Sequence, residues 1–464
     1  MKQKSIREDE YPELKWIGWK LKSMRESFET VLNEMKKQDS ISKDLMDLIA
    51  SPENLEIAKK KVKSNKGAPG IDGVSVEEIE EHIEEYQKAL LYKVREGTYK
   101  PTPVKRVYIP KDNGDKRALG IPVVRDRIVQ QMILNVLDPM IDPYFSEYSY
   151  GFRKNRGCHD AVNQVIAYAN EGYTWAVNCD LEKFFDTVNH QKLMSYLNYY
   201  VKDKKLNKLL WSFLEAGVME DGVVVTSERG TPQGGVISPF LSNIYLNILD
   251  LELEKRGHKF VRYADDFNIM VKSKRAGERV LASITKFIEK TLKLKVNREK
   301  SSVVYIGKMK YLGFGFRKHK DEFKCFPHKT AKEKFKRRLK ELTSRKRPGN
   351  FIQITKEINR YTVGWINYFG IGQMKTYLKE ISGWLNRRLR QLCLKRWKKI
   401  KTRYEMLKTY GVDDDVAYKF ANSRKGYWRL SHTMEMHYAI SKERLAKWGL
   451  KDINQLYQSR YSSC

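Results

Sequence analysis

The segment FVRYADDFNIMV, residues 260–271, decides the reading of this chain. Apolar residues flank two adjacent acids, Asp265 and Asp266. The pattern predicts strand, tight turn and strand, with both carboxylates at or beside the turn. Two like charges side by side among apolar strands are costly unless a cation neutralises them. Taken alone, an ordinary exposed hairpin turn accounts for the pair about as well, because Asp is a common turn residue.

A second segment breaks that tie. WAVNCDLEKFFDTV, residues 175–188, is another apolar strand that ends in an acid, Asp180. Two strands ending in carboxylates can lie side by side in one sheet. Asp180 and Asp265 would then bracket a pair of Mg²⁺ ions, with Asp266 next to them. Hard oxygen ligands suit Mg²⁺ that is held partly through substrate phosphates. Two such ions about 4 Å apart can activate an attacking hydroxyl and stabilise the leaving oxygen of an in-line phosphoryl transfer.

The composition points the same way. The chain has 464 residues, enough for two to four domains with sizeable cores. Its 41% hydrophobic and 31% charged content is that of a globular protein. Lys plus Arg number 89 and Asp plus Glu 57, a formal net charge of +32. Such a surplus favours a large anionic partner, nucleic acid first and an anionic membrane surface second. The charge is uneven: residues 1–50 carry ten basic and ten acidic side chains, whereas residues 331–404 carry 22 and 4. That second window also holds Tyr361, Trp365, Tyr368, Phe369, Tyr377, Trp384, Trp397 and Tyr404. Cations interleaved with aromatics suit phosphates and bases together, and equally describe a solvated helical face over an aromatic core.

Several classes are excluded. No run of about 18 apolar residues predicts a membrane-spanning helix, and the start has no apolar signal core. The five cysteines form no CxxC pair, which fits a reducing compartment without a structural zinc or disulfide framework. Neither a Walker A loop nor a Rossmann glycine fingerprint is present. Along the chain, helices are predicted near 16–32, 51–63 (capped by Ser51, with Pro52 in the first turn) and 76–95. Residues 65–75 are a Gly/Pro loop. VKRVYI (104–109) is a strand leading into a hairpin with Asn113-Gly114 at its tip. A helix over 124–140 and the loop SYGFRKNRG (149–157) follow. Strands and helices then alternate to residue 316, with helices at 189–199, 238–255 and 277–291. From 330 to 405 the chain is helical and basic, and 406–464 form a further small helical unit.

YADD at 263–266 resembles the Tyr-x-Asp-Asp box of reverse transcriptases. DLEKFFD (180–186), TPQGGVISPFLSNIYLN (231–247), LKLKVNREKS (292–301) and YLGFGF (311–316) follow in that family's order and spacing. Upstream, NKGAPGIDGVS (65–75), YIPKDNGDKRALGIP (108–122) and SYGFRKNRG are similar too, and GWINYF (364–369) resembles the thumb, or X, region of group II intron-encoded proteins. The chain is identified as a member of the bacterial type that lacks an HNH endonuclease.

The resemblance implies an α+β right-hand polymerase. It would have an N-terminal helical extension (1–42), fingers (43–157), a palm with a mixed β-sheet (158–325), a helical thumb (326–405) and a small DNA-binding unit (406–464). It implies that Asp180, Asp265 and Asp266 hold two Mg²⁺ ions, Asp180 and Asp265 most directly. Lys300 would protonate the leaving pyrophosphate. Lys111, Arg117 and Gln233 would contact the incoming dNTP. Phe185 would be a steric gate against a 2′-hydroxyl, with Phe184 packed beneath it. Tyr311, Leu312 and Gly313 would form a primer grip. Arg153 and Arg156 would face template or nucleotide, and Lys334, Arg337, Arg338, Arg387, Arg388, Lys395 and Arg396 would grip nucleic acid. His159, His190 and Cys179 are read as structural. The implied activity is RNA-directed DNA synthesis with maturase activity on intron RNA. The implied partners are template and intron RNA, DNA primer and target DNA, in the bacterial cytoplasm or nucleoid and away from membranes. A domesticated or defence-associated reverse transcriptase without an intron, or an RNA-binding splicing factor, are the alternative readings.

Overall fold

The computed structural model describes residues 44–461, apart from 80–82, 84–85, 111–113, 221, 226–229 and 231–233. The expectations for residues 1–42, Lys111 and Gln233 therefore lie outside the described residues. The chain divides into two compact units, residues 1–305 and 306–464.

The first unit begins with α1 (Leu45–Ile49), α2 (Pro52–Ser64) and α3 (Gln87–Arg95). Ser51 caps α2 by accepting from the Asn54 amide, with Pro52 in the first turn where its missing N–H costs nothing. Of the helix expected over 76–95, α3 is the last part, and residues 80–82 and 84–85 lie outside the described residues. Strands β1 (Val104–Pro110) and β2 (Lys116–Ile121) form the predicted hairpin, followed by α4 (Val124–Ile141) and α5 (Cys158–Asn170). Next come β3 (Trp175–Cys179), the short α6 (Phe184–Thr187), α7 (His190–Tyr200) and α8 (Lys204–Glu215). Strands β4 (Val218–Glu220) and β5 (Val223–Val225) complete a sheet ordered β2-β1-β4-β5, with β1 and β4 parallel. The unit closes with α9 (Ser238–Lys255), β6 (Lys259–Tyr263), β7 (Asp266–Val271), α10 (Lys274–Phe287) and β8 (Ser302–Tyr305).

The second sheet positions the site. Its order is β6-β7-β3-β8, with every pair antiparallel. Cys179 lies opposite Phe267, so the residue after β3, Asp180, arrives beside the turn that precedes β7. Helix α10 packs on β3, β7 and β8. It approaches closely at Gly277, where a Cβ would lie 2.5 Å from Val303 Cγ1. Helix α9 is buried on nearly its whole circumference from Ser238 to Leu253, and its polar residues inside the core must therefore find partners.

In the second unit, β9 (Lys310–Tyr311), β10 (Phe314–His319) and β11 (Glu322–Pro327) form an antiparallel sheet ordered β11-β10-β9. Three long helices follow: α11 (Lys329–Leu342), α12 (Phe351–Phe369) and α13 (Lys375–Arg396). The chain ends in α14 (Ile400–Thr409), α15 (Asp414–Ala421), α16 (Tyr427–Leu430), α17 (Met434–Ala439), α18 (Lys442–Lys447) and α19 (Ile453–Tyr461). Helices α16 and α19 pack on α13.

Several aromatics of the basic window face inward. Phe335 stacks on Tyr361 and Trp365, with centroids 5.5 and 4.2 Å away, and Trp365, Phe369 and Trp397 are all buried. Most cations of the same helices stay at the surface, while Arg390 is buried and donates to Ile440 O at 2.9 Å. For these rings the core reading holds, because a ring buries far more apolar area than a neighbouring Lys stem. Among the described residues, no helix is long and apolar enough to cross a membrane.

Candidate active site

Register pairs Tyr263 with Asp266, so the turn between β6 and β7 consists of Ala264 and Asp265 alone. Ala264 has φ +57°, a left-handed conformation that disfavours a residue with a Cβ. Its surroundings hold it there. Arg262, two residues earlier in β6, donates from Nη1 to the Ala264 carbonyl at 3.1 Å. The same guanidinium donates from Nε to Asp250 Oδ1 of α9 at 2.8 Å, and from Nη1 to Asn243 Oδ1 at 3.0 Å. Both side chains of the Arg262–Asp250 pair are wholly buried. A buried ion pair of this kind stands only when its remaining donors and acceptors are also satisfied.

The SYGFRKNRG loop is fastened to the same strand. The Arg262 amide donates to Tyr148 O at 2.9 Å, and the Tyr150 amide donates to Arg262 O at 2.8 Å. Asn243 Nδ2 donates to Gly151 O at 3.0 Å. A Cβ on Gly151 would lie 2.3 Å from the Ala264 amide nitrogen, so only glycine lets the loop approach the turn so closely.

Arg153 requires a correction. It is buried, and it donates to Asp142 Oδ1 at 2.6 Å, Ser146 O at 2.6 Å and Ser149 O at 3.0 Å. Its fork is spent on pinning the loop, leaving none for template or nucleotide. Arg156 is half-exposed and lies over the Tyr150 ring at 5.9 Å.

Asp180 follows β3 directly. Its amide donates to Ser301 Oγ at 3.1 Å, and its carbonyl accepts from the Asn297 amide at 2.8 Å. These bonds bring the 297–301 turn against it and set Lys300 Nζ 4.0 Å from Asp180 Oδ2. Asp265 lies in the same electrostatic neighbourhood. Burial pushes its carboxyl pKa up, and the Asp180 carboxylate raises it further, while Arg117 and Arg262 pull it down. The hairpin arginine of β2 thus acts on the turn aspartate of the other sheet.

Asp266 is exposed at the start of β7. Among the described residues, no three His, Cys, Asp or Glu side chains form a group that could hold a metal. Asp180 and Asp265 are the carboxylates seen to act on each other through their charges. Their repulsion and partial burial are a cost that a hard cation would relieve, so this pair fits Mg²⁺.

Phe185 is half-buried, with its centroid 5.2 Å from that of Phe184, and Phe184 is buried against Tyr245. The two rings differ in burial although they are neighbours on one element. The chain turns at Lys183 (φ +47°), and both rings stand on the short helix α6. Gly234 of TPQGG (φ +124°) lies against β2, where a Cβ would come within 2.4 Å of Gly120 O. His190 and Cys179 are buried. Burial pushes the Cys179 thiol up to about 12, which leaves it unreactive.

In the second unit, Leu312 (φ +48°) and Gly313 (φ +82°) turn the chain between β9 and β10, and Tyr311 is a core residue with no exposed surface. Lys334, Arg337, Arg338, Lys395 and Arg396 are exposed, with Arg338 paired to Glu341 at 2.8 Å and Arg396 donating to Gly349 O at 2.7 Å. Arg387 and Arg388 are engaged internally. Arg387 lies 3.9 Å from the Trp428 ring centroid and donates to Trp428 O at 2.9 Å. Arg388 donates to Thr343 Oγ1, Thr343 O and Lys340 O, each at 3.0 Å, which satisfies carbonyls at the C-terminus of α11.

Sequence reasoning passed over Arg262, Asp250 and Asn243. A signal existed: Arg262 inside the apolar strand KFVRY, and Asp250 inside the apolar helix stretch LNILDLEL. Charges placed in two apolar runs are candidates for each other.

Comparisons with known proteins agree with the geometry. Residues 109–316 match the family model described as reverse transcriptase (RNA-dependent DNA polymerase). Residues 332–411 match the group II intron, maturase-specific domain. Protein YkfC of Escherichia coli K12 is 35% identical over 302 residues, which cover 56% of this chain and 79% of that protein. Group II intron-encoded protein LtrA of Lactococcus lactis subsp. cremoris is 29% identical over 351 residues, 61% of this chain and 58% of that one. A putative COX1/OXI3 intron 2 protein of Saccharomyces cerevisiae is 33% identical over 256 residues, 54% of this chain and 29% of its own length. The fold is a reverse-transcriptase-like α+β fold with one mixed and two antiparallel sheets and helical regions, so the sheet that positions Asp180 and Asp265 is antiparallel and not mixed as expected for the palm. With a polymerase domain that carries the YADD turn and a maturase-specific domain after it, the chain belongs to the group II intron-encoded reverse transcriptase/maturase family.

Proposed function

We propose that this chain copies RNA into DNA at Asp180 and Asp265, and that it binds its intron RNA to assist splicing and mobility. The observation that carries the proposal is the convergence of two strand-end carboxylates, with Lys300 4.0 Å from Asp180 and the charge of Arg117 acting on Asp265. Asp180 and Asp265 would hold two Mg²⁺ ions, with Asp266 at the margin. When bound, these ions supply charge neutralisation at the attacking 3′-hydroxyl and at the leaving oxygen. The protein's own groups do the rest. Arg117, with Lys111 beyond the described residues, binds the triphosphate by its fork. Phe185 blocks the sugar's 2′ position. Gln233 lies against the incoming base. Lys300, two-thirds exposed, delivers a proton to the departing pyrophosphate.

The first unit would thus supply fingers and palm. The turn at 311–313 would serve as primer grip through its backbone, since Tyr311 itself is core. The helices from 326 to 405 would act as thumb and maturase domain, and 406–464 as a DNA-binding region. Lys334, Arg337, Arg338, Lys395 and Arg396 are the exposed cations for RNA, primer and target DNA. Primer extension on an RNA template, with Mg²⁺ and Asp265→Ala, tests this reading. Extension should fall at least about a thousand-fold, because several kcal/mol of charge stabilisation depend on the carboxylate. RNA binding and splicing should persist. Wild-type extension by the variant would remove the metal assignment.

A further inference from the structure

The second unit contains a cleft of about 860 Å³ where β10, the start of α11, the N-terminus of α13 and α19 converge. Its size is that of a nucleotide-scale binding pocket. Its charge is one-sided: Arg317, His319, Lys332 and Lys375 line it, against the single acid Glu380.

Two of those cations are held together. Arg317 and Lys332 both lie over the ring of Phe326, at 5.2 and 5.6 Å from its centroid. Lys332 also lies 5.1 Å from the centroid of Tyr377. Neither forms an ion pair with a carboxylate among the described residues. Burial and the nearby Arg317 hold the Lys332 ammonium below its usual range, so the two cations stand at a cost that an anion would reverse.

The opposite wall is aromatic. Tyr457 and Tyr461 stack, with centroids 5.9 Å apart and planes at 28°. Their hydroxyls donate to Gly372 O at 3.1 Å and to Asn367 O at 3.2 Å, which fixes the rings. Helix α13, 22 residues long, begins at the cleft with no side-chain cap and no acid in its first turn. Its amides add to the positive field.

We propose that this cleft binds an unpaired nucleotide of single-stranded RNA, its phosphate on Arg317 and Lys332 and its base against the tyrosine wall. A duplex hides its base faces and would gain only the cations, whereas an unstacked base gains both. The choice of RNA rests on the maturase reading above, because Lys332, Lys375 and Tyr377 lie inside the maturase-specific match at 332–411.

Fluorescence anisotropy of the full chain tests it, with an unstructured RNA of about 12 nucleotides and a DNA duplex of the same length. Arg317→Gln/Lys332→Gln should weaken RNA binding about tenfold and reduce the log–log salt slope by about 0.7, the share of one neutralised phosphate. Duplex binding should stay within about twofold. Glu380→Gln should tighten RNA binding, a gain that misfolding cannot produce. Unchanged RNA affinity in the double variant, an equal loss for duplex, or no gain with Glu380→Gln would each overturn the proposal. Primer extension by the wild type on a pre-annealed template is run in parallel. It reports on the polymerase reading separately: a wild type that fails to extend leaves the binding comparison readable.

Discussion

Arg262 lies wholly inside the first unit, forked onto Asp250 and reaching the Ala264 carbonyl, while Arg337 stands in solvent on α11 with Lys334 and Arg338 near it. The same guanidinium serves two purposes. At this turn of the first unit, charge is buried, paired and part of the geometry that shapes Ala264 and Asp265. Water and salt do not reach it. In the second unit, most charge is exposed and acts as a field on a polyanion, screened beyond about 8 Å at physiological ionic strength. Arg388 and Arg387 mark the boundary between these uses, since they sit in the basic helix and yet satisfy backbone carbonyls.

The largest effect expected from breaking this contrast is at Arg262. Arg262→Met leaves Asp250 buried and alone, and should cost about 3–5 kcal/mol of stability by denaturant titration, nearly independent of salt. Adding Asp250→Leu should recover most of that stability. It should not recover the extension rate, because the Ala264 carbonyl still lacks its donor. Full recovery of both would reduce Arg262 to packing and erase its positioning role.

A smaller effect is expected at Asp126, another buried charge of the first unit. It accepts from the Tyr99 hydroxyl and the Thr102 amide, yet burial raises its pKa from 3.8 to about 6. The native state then holds a proton that the unfolded chain releases. Its stabilising share is complete below 3.8 and is lost as pH rises through about 6, roughly 3 kcal/mol in all. Stability curves of wild type and Asp126→Asn should differ by a step in that window. Parallel curves would show that the carboxyl ionises freely.

The smallest effect sharpens the contrast for aromatics. Trp365, Phe369 and Trp397 of the basic window pack inward, whereas Phe185 stays half-buried. Phe185→Ala should relax discrimination against ribonucleotides about 10- to 200-fold, the range a lost steric contact supports. Unchanged sugar selection would make this ring a core residue like Phe184.

Residue order alone determined much of this protein. Helices 52–64 and 238–255 and the hairpin at 259–271 are legible because caps, apolar spacing and alternation act over a few residues. The strands that carry Asp180 and Asp265 were legible for the same reason, since each acid ends or follows an apolar strand. The family followed from motif order. Tertiary structure alone decided which charges are spent inside. Arg153 and Arg388 read as nucleic-acid contacts until Asp142 and Thr343 are seen to take their donors. It also sent several rings of the basic window into the core, and it joined Arg262 to Asp250 across 12 residues and two elements. Local sequence carries propensity and period. The partner of a buried charge is set by packing, because removal from water makes each such group depend on whatever the fold brings beside it.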